Sequence, residues 1–317
     1  RNNETNIVDE YSKYIEKAQN YADTLHDLYM RALKANPFEV LCTLLRVDAI
    51  EDMDWEFYEE SRKAFEEGEG LENIQKNDKF VSRGELTLYC HKVEMVAPQE
   101  MLANILRTVV HKDYLVKPFG CLGRPTSGIA FSWIGPTTLE KFEELKRQAK
   151  EAGELKLPEC IDQFFDESLR NAISSSDYEI EEEYFKWTEN GNLQQKPRTI
   201  VDETVFNCLA FFSAFLANHN HFKMMFREMP RFHKWPDYQV LEILSNDEVG
   251  LLGFNLHFPN GTKAAFVHNE EGATSHNIFH NPDGSIQFNP GFNDAHEEMW
   301  KIDGHKVSDW QEFSNAS

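Results

Sequence analysis

Residues 250–268 read GLLGFNLHFPNGTKAAFVH. Two apolar runs flank Asn260-Gly261, the strongest short hairpin signal a sequence carries. A two-residue turn there sets Pro259 opposite Thr262, His257 opposite Ala264 and His268 opposite Gly253. Two more turns follow. Asn281-Pro282-Asp283-Gly284 has each residue in a favoured turn position. Asp303-Gly304 separates Trp300-Lys301-Ile302 from His305-Lys306-Val307. The turn glycines Gly261, Gly284 and Gly304 stand 23 and then 20 residues apart, the spacing of an antiparallel meander or degenerate hairpin repeat. Ser308 and Gln311 have the spacing that caps a short last helix. Residues 236–317 therefore read as an antiparallel β-hairpin domain.

Upstream, 198–235 reads as a helical connector, with Val205, Leu209, Phe212 and Leu216 on its apolar stripe and Pro230 at its end. Residues 80–190 read as a mixed α+β domain. Leu86, Leu88 and Cys90 alternate with Thr87, Tyr89 and His91, which predicts a strand. A helix then opens at Ala97-Pro98-Gln99-Glu100 and buries Met101, Leu102, Ile105, Leu106 and Val109. Tyr114-Leu115-Val116 and residues 129–134 predict two strands around a Gly-rich connection, and Thr137 with Glu140 forms a capping box for the next helix. With a returning strand at 178–187 this β-α-β-β-α order becomes ferredoxin-like. Residues 1–75 predict three helices. Asn36-Pro37-Phe38-Glu39 punctuates the first two, with Asn as cap, Pro at the first position and Glu39 reaching back. The third begins near Asp54. The fold class is α+β.

Lys and Arg total 32 and Asp and Glu 54, a formal charge of −22 over 317 residues. Aromatic residues make up 13%, which excludes a disordered acidic tail. The charge opposes direct nucleic-acid binding and attachment to an anionic membrane, and no unbroken apolar run is long enough to span a bilayer. Cys42, Cys90, Cys121, Cys160 and Cys208 are odd in number and lie far apart, so neither a zinc framework nor a disulfide scaffold is expected. Reduced thiols fit a cytoplasmic protein. The Asn3, Asn260 and Asn315 sequons match chance in an Asn-rich chain.

No GxSxG, HExxH or DxDxDG pattern is present. The loop from Gly120 to Gly128 lacks the lysine of a phosphate loop and contains Pro125, so it reads as a hairpin loop. Arg227 and His233 have five residues between them, a spacing similar to that of dimeric HEPN-type ribonucleases. That resemblance implies histidine as acid or base and arginine on the phosphate, but Pro230 breaks the helix that would align them. Imidazoles and carboxylates at His268, His276, His280, Asp283 and His296 are the candidate metal ligands of a hydrolase or nuclease. In the two-residue register His257 and His268 share a sheet face about 13 Å apart, too far for one ion. His276 and His280 share a strand face four residues apart.

A non-catalytic acidic binding or inhibitor protein, needing no cofactor, is the preferred reading. Its partner-binding carboxylates are Glu51, Asp52, Asp54, Glu59, Glu60, Glu66, Glu67, Asp177, Glu179, Glu181, Glu182 and Glu183. The partner is another protein with a basic surface, for which a nucleic-acid-processing enzyme in a phage or bacterial conflict is the natural owner. Assembly into a homo-oligomer is compatible with the sequence.

Overall fold

The structure, a computed structural model, describes residues 2–49, 83–125, 133–237, 239–269, 272–289, 301–302 and 304–313. The fold is α+β, with antiparallel sheets. The chain divides into two compact units interleaved in sequence. One comprises Arg1–Asp27, Lys63–Gln99 and Pro136–Asn218, and the other Leu28–Arg62, Glu100–Gly135 and His219–Ser317.

The first unit is mainly helical. Helix α1 (Asn2–Ala35) contributes Tyr21 and Leu25 to its core. Helix α2 (Pro37–Leu45) belongs to the other unit, and α3 (Arg83–Glu94) returns to this one. The strand expected at 86–90 is thus a helix. Alternation over six residues competes here with a helical spacing, Leu86, Tyr89, Cys90 and Val93, and all four are buried. Helix α4 (Val96–Val109) follows, and from Glu100 on it belongs to the second unit. Helix α5 (Thr138–Glu151) opens on the expected capping box: Glu140 N–H donates to Thr137 Oγ1 (3.2 Å) and Thr137 N–H to Glu140 Oε2 (2.8 Å). Helices α6 (Lys156–Phe164) and α7 (Glu167–Ser175) complete the run. A chain of rings holds the unit: Phe142 meets Phe164 edge-on at 5.6 Å, Phe164 lies 4.6 Å from Phe211, and Phe211 meets Tyr21 at 5.6 Å. Phe211 comes from α8 (Arg198–Arg227), which ends three residues before Pro230.

By length and composition α8 is apolar enough to cross a membrane, yet 61% of that window is buried within the protein, as in a core helix. Its Val205, Leu209, Phe212 and Leu216 are buried, as their stripe predicts.

In the second unit β1 (Arg124–Pro125) pairs with β2 (Trp133–Ile134) as a minimal hairpin. The first unit holds the next three strands, β3 (Tyr178–Ile180), β4 (Tyr184–Glu189) and β5 (Asn192–Pro197), an antiparallel meander. Tyr114-Leu115-Val116 makes one bridge, Leu115 to Ser285, instead of a strand. Among the described residues the ferredoxin-like order is therefore absent, because its first two strands are a helix and a single bridge.

The second unit is built on five consecutive antiparallel strands: β6 (Phe232–Trp235), β7 (Gln239–Asn246), β8 (Gly250–His257), β9 (Lys263–Asn269) and β10 (Gly272–His276). The hairpin at Asn260-Gly261 exists, but its register is one residue from the expected one: His257 faces Lys263 and Gly253 faces Val267. Pro259 explains this. Gly261 N–H donates to Phe258 O (3.0 Å) and Phe258 N–H to Thr262 O (2.9 Å), with Gly261 at φ 83°. This is a three-residue loop, a type I turn with proline in its second position and glycine in the left-handed position after it. The loop between β11 (Ile278–His280) and β12 (Ile286–Phe288) has the same form. Gly284 N–H donates to Asn281 O and Asn281 N–H to Ser285 O, both at 2.9 Å. The Asp283 and Asn260 side chains accept from Ser285 and Thr262 in the same way.

One face of the large sheet buries Leu241, Ile243, Phe254, Leu256, Ala264 and Phe266. Phe38 of α2 packs on that layer, 4.4 Å from Trp235, 5.5 Å from Phe254 and 5.7 Å from Phe288. Asn36 caps α2 by accepting from Phe38 N–H and Glu39 N–H, but Glu39 does not reach back as expected. Its carboxylate instead accepts Tyr114 N–H at 2.6 Å, and burial raises its pKa to about 7. At the C-terminus β13 (Lys301–Ile302) pairs with β14 (His305–Lys306). A 3-10 turn at Val307–Asp309 stands where a final helix was expected, so Ser308 lies inside the turn instead of capping it. Val307, Ile302 and Trp310 pack with Phe232 on Val240, on the other face of the sheet.

Candidate functional site

Of the acidic partner-binding candidates, Glu51, Asp52, Asp54, Glu59, Glu60, Glu66 and Glu67 lie outside the described residues, as does the third expected helix. The second acidic group is described. Asp177 precedes β3, Glu179 is on it, and Glu181, Glu182 and Glu183 form its turn into β4. β3 is an outer strand of its sheet. Asp177, Glu179, Glu182 and Glu183 are exposed, while Glu181 is ion-paired with Lys186 across the turn. Four carboxylates thus remain at a sheet edge with one neighbouring ammonium already engaged.

The metal-ligand candidates are dispersed. With the register shifted by one residue, His268 turns to the face opposite His257. There its Nε2 bonds the Leu45 carbonyl (2.9 Å) and its ring meets Phe266 edge-on. His276 is exposed at the end of β10, and a left-handed Asn277 (φ 54°) separates it from β11, so it does not share a strand with His280. His280 lies against Asp48 and Ala49 beyond α2. Asp283 is occupied with Ser285, whose hydroxyl and N–H lower its pKa. His296 is outside the described residues. Among the described residues no three His, Cys, Asp or Glu side chains converge as a metal site. Arg227 closes α8 and pairs with Glu228 and Asp247, whereas His233 is buried in β6 against Phe313 at 4.7 Å. Burial lowers the pKa of that histidine.

A different constellation occupies the other face of the five-stranded sheet. Glu242 in β7 is only 5% exposed. Its Oε1 accepts from Arg231 Nε (2.9 Å) and Nη2, and its Oε2 from Asn255 Nδ2 (2.7 Å) and His257 Nε2 (2.8 Å). Register brings these groups together: Glu242 pairs with Asn255, and Arg231 O accepts the adjacent Ile243 N–H. Burial alone raises a carboxylic acid pKa, but the bonds from His257, Asn255 and Arg231 outweigh it and hold Glu242 at about 2. One sequence signal points here, a lone carboxylate inside the apolar run Val240-Leu241-Glu242-Ile243-Leu244. A charge at such a position needs partners, though their identity depends on strand register.

No protein-family model, curated protein or solved structure matches this chain.

Proposed function

We propose that this protein is a non-catalytic acidic binding protein that engages a basic surface on another protein. The observation that carries the reading is the outer strand β3 and its turn, where Asp177, Glu179, Glu182 and Glu183 are all exposed on a chain of net charge −22. Carboxylates at a sheet edge attract lysines and arginines, and the field of the whole chain adds long-range steering toward a positive partner. An enzyme that handles nucleic acid carries such a surface in its phosphate-binding groove, so a blocker of that groove in a phage or bacterial conflict fits the charge.

The test is capture from native lysate at about 0.1 M and about 0.5 M salt, where the Debye length falls from about 10 Å to less than half that. Wild type is compared with D177K/E179K/E182K/E183K and with E59K/E60K/E66K/E67K. A stoichiometric basic partner that thins at high salt and is lost from the first variant supports the β3 edge. Retention of every partner by both variants sinks the reading.

A further inference from the structure

The Glu242 constellation has unused binding capacity. An ionised carboxylate only accepts hydrogen bonds, and the four donors on Glu242 fill both its oxygens. His257 Nε2 must therefore carry a proton, which leaves Nδ1 as the ring atom open to a ligand. Among the described residues the histidine has no polar partner besides Glu242. Arg231 grips Oε1 through Nε and one Nη2 hydrogen, so three of its five N–H donors remain, two of them on Nη1, on a side chain 66% exposed that lies over Phe232. Lys263 stands directly across from His257, and cross-strand neighbours sit within about 5.5 Å at Cβ. It is exposed and makes no ion pair among the described residues, although acids outnumber bases by 22 in this chain.

We propose that this sheet face is a binding site for a phosphoryl-type oxyanion, held by Arg231 Nη1, Lys263 Nζ and His257 Nδ1. Three donors from separate side chains suit a tetrahedral anion with several terminal oxygens. A planar carboxylate has only two oxygens in one plane and can engage part of that set at a time. His257 donates from Nδ1 only when doubly protonated, so the bound state takes up a proton. Among the described residues the other charged and titratable groups on this face are Glu242, Lys234 with its partner Glu312, and His276, with Lys301, His305, Lys306 and Asp309 on the C-terminal segment packed against it. Glu242 stays ionised throughout the neutral range, so it is not the group that gains a proton when the anion binds.

The experiment is titration calorimetry of the full chain with inorganic phosphate, sulfate and acetate. Sulfate keeps its charge between pH 6 and pH 8, so it reports the protein's protonation alone. Saturable binding of phosphate and sulfate is expected, with sulfate tighter at pH 6 and acetate much weaker. K263Q and H257Q should each weaken binding about tenfold or more, as for loss of one charge-assisted bond. K301Q, on β13, should leave it unchanged. Lys263 is exposed, so K263Q tests the site even if H257Q folds poorly. Wild-type affinity in both variants, no saturable heat with either tetrahedral anion, or acetate bound as tightly as sulfate would each overturn the assignment.

Discussion

Replacing Glu242 by glutamine keeps the shape of the side chain and removes its charge. The amide offers one acceptor oxygen where the carboxylate offered two, and its NH2 group faces donors on Arg231, Asn255 or His257. The displacement of Glu242 from 4.5 to about 2 corresponds to roughly 3 kcal/mol of preference for the ionised form in the fold. Arg231 is largely solvated, so part of that is screened, and about 2 kcal/mol is the expected loss at pH 7. The sign follows from the direction of the shift. A depressed carboxylate contributes its full stability above its unfolded value of 4.5 and loses it as pH falls through about 2. Wild type and E242Q should thus differ by about 2 kcal/mol at pH 7 and converge between pH 5 and pH 2. Urea unfolding followed by tryptophan fluorescence measures the difference, and hydrogen exchange of the β7 and β8 amides assigns it to this sheet. A difference below about 0.5 kcal/mol at pH 7, or one that does not change with pH, would refute the claim that Glu242 is held ionised by its partners.

Two further substitutions test packing and exposure. A Cβ at Gly253 would stand 2.2 Å from Phe266 O and 2.7 Å from Val267 Cα, which are backbone atoms of the paired strand. G253A should force β8 from β9 and cost about 3 kcal/mol or more, read as a lowered urea midpoint; a wild-type midpoint would contradict the close strand approach. Cys121 is exposed, whereas Cys42, Cys90, Cys160 and Cys208 are buried, and burial pushes Cys90 to about 12 and Cys160 to about 11. Titration with a disulfide reagent at pH 8 should find one fast thiol, absent in C121S; a second fast thiol would show that one of the buried set is open.

Local chemistry was legible in the sequence wherever a few neighbouring residues decide the outcome. Asn36-Pro37 starts α2, Thr137 and Glu140 cap α5, and Pro230 lies just beyond α8, because caps and prolines act on backbone groups within a turn of themselves. The strand expected at 86–90 falls where six residues satisfy both periods, and burial of Leu86, Tyr89, Cys90 and Val93 on a helix decides between them. The candidate sites were less legible because they depend on register. A two-residue turn makes Pro259 a strand residue facing Thr262, but it forms part of the loop, and that single residue turns His268 away from His257. The Glu242 constellation needs the same register on two strand pairs at once, which no local pattern supplies.

The two proposals place opposite charge preferences on one chain, and range reconciles them. At about 0.15 M salt the Debye length is about 8 Å, so a small anion at His257 responds to Lys263, Arg231 and Glu242 more than to distant carboxylates. A protein partner approaches over a broad surface and meets many carboxylates together, so it experiences the net charge. Salt therefore separates the two events. Rising ionic strength should weaken capture at the β3 edge steeply. The Glu242 constellation, held at short range with its carboxylate buried, should keep its geometry, and the anion should be displaced mainly by a competing tetrahedral anion. If chloride abolished sulfate binding as readily as it released the partner, Lys263 and His257 would be acting only as diffuse surface charge.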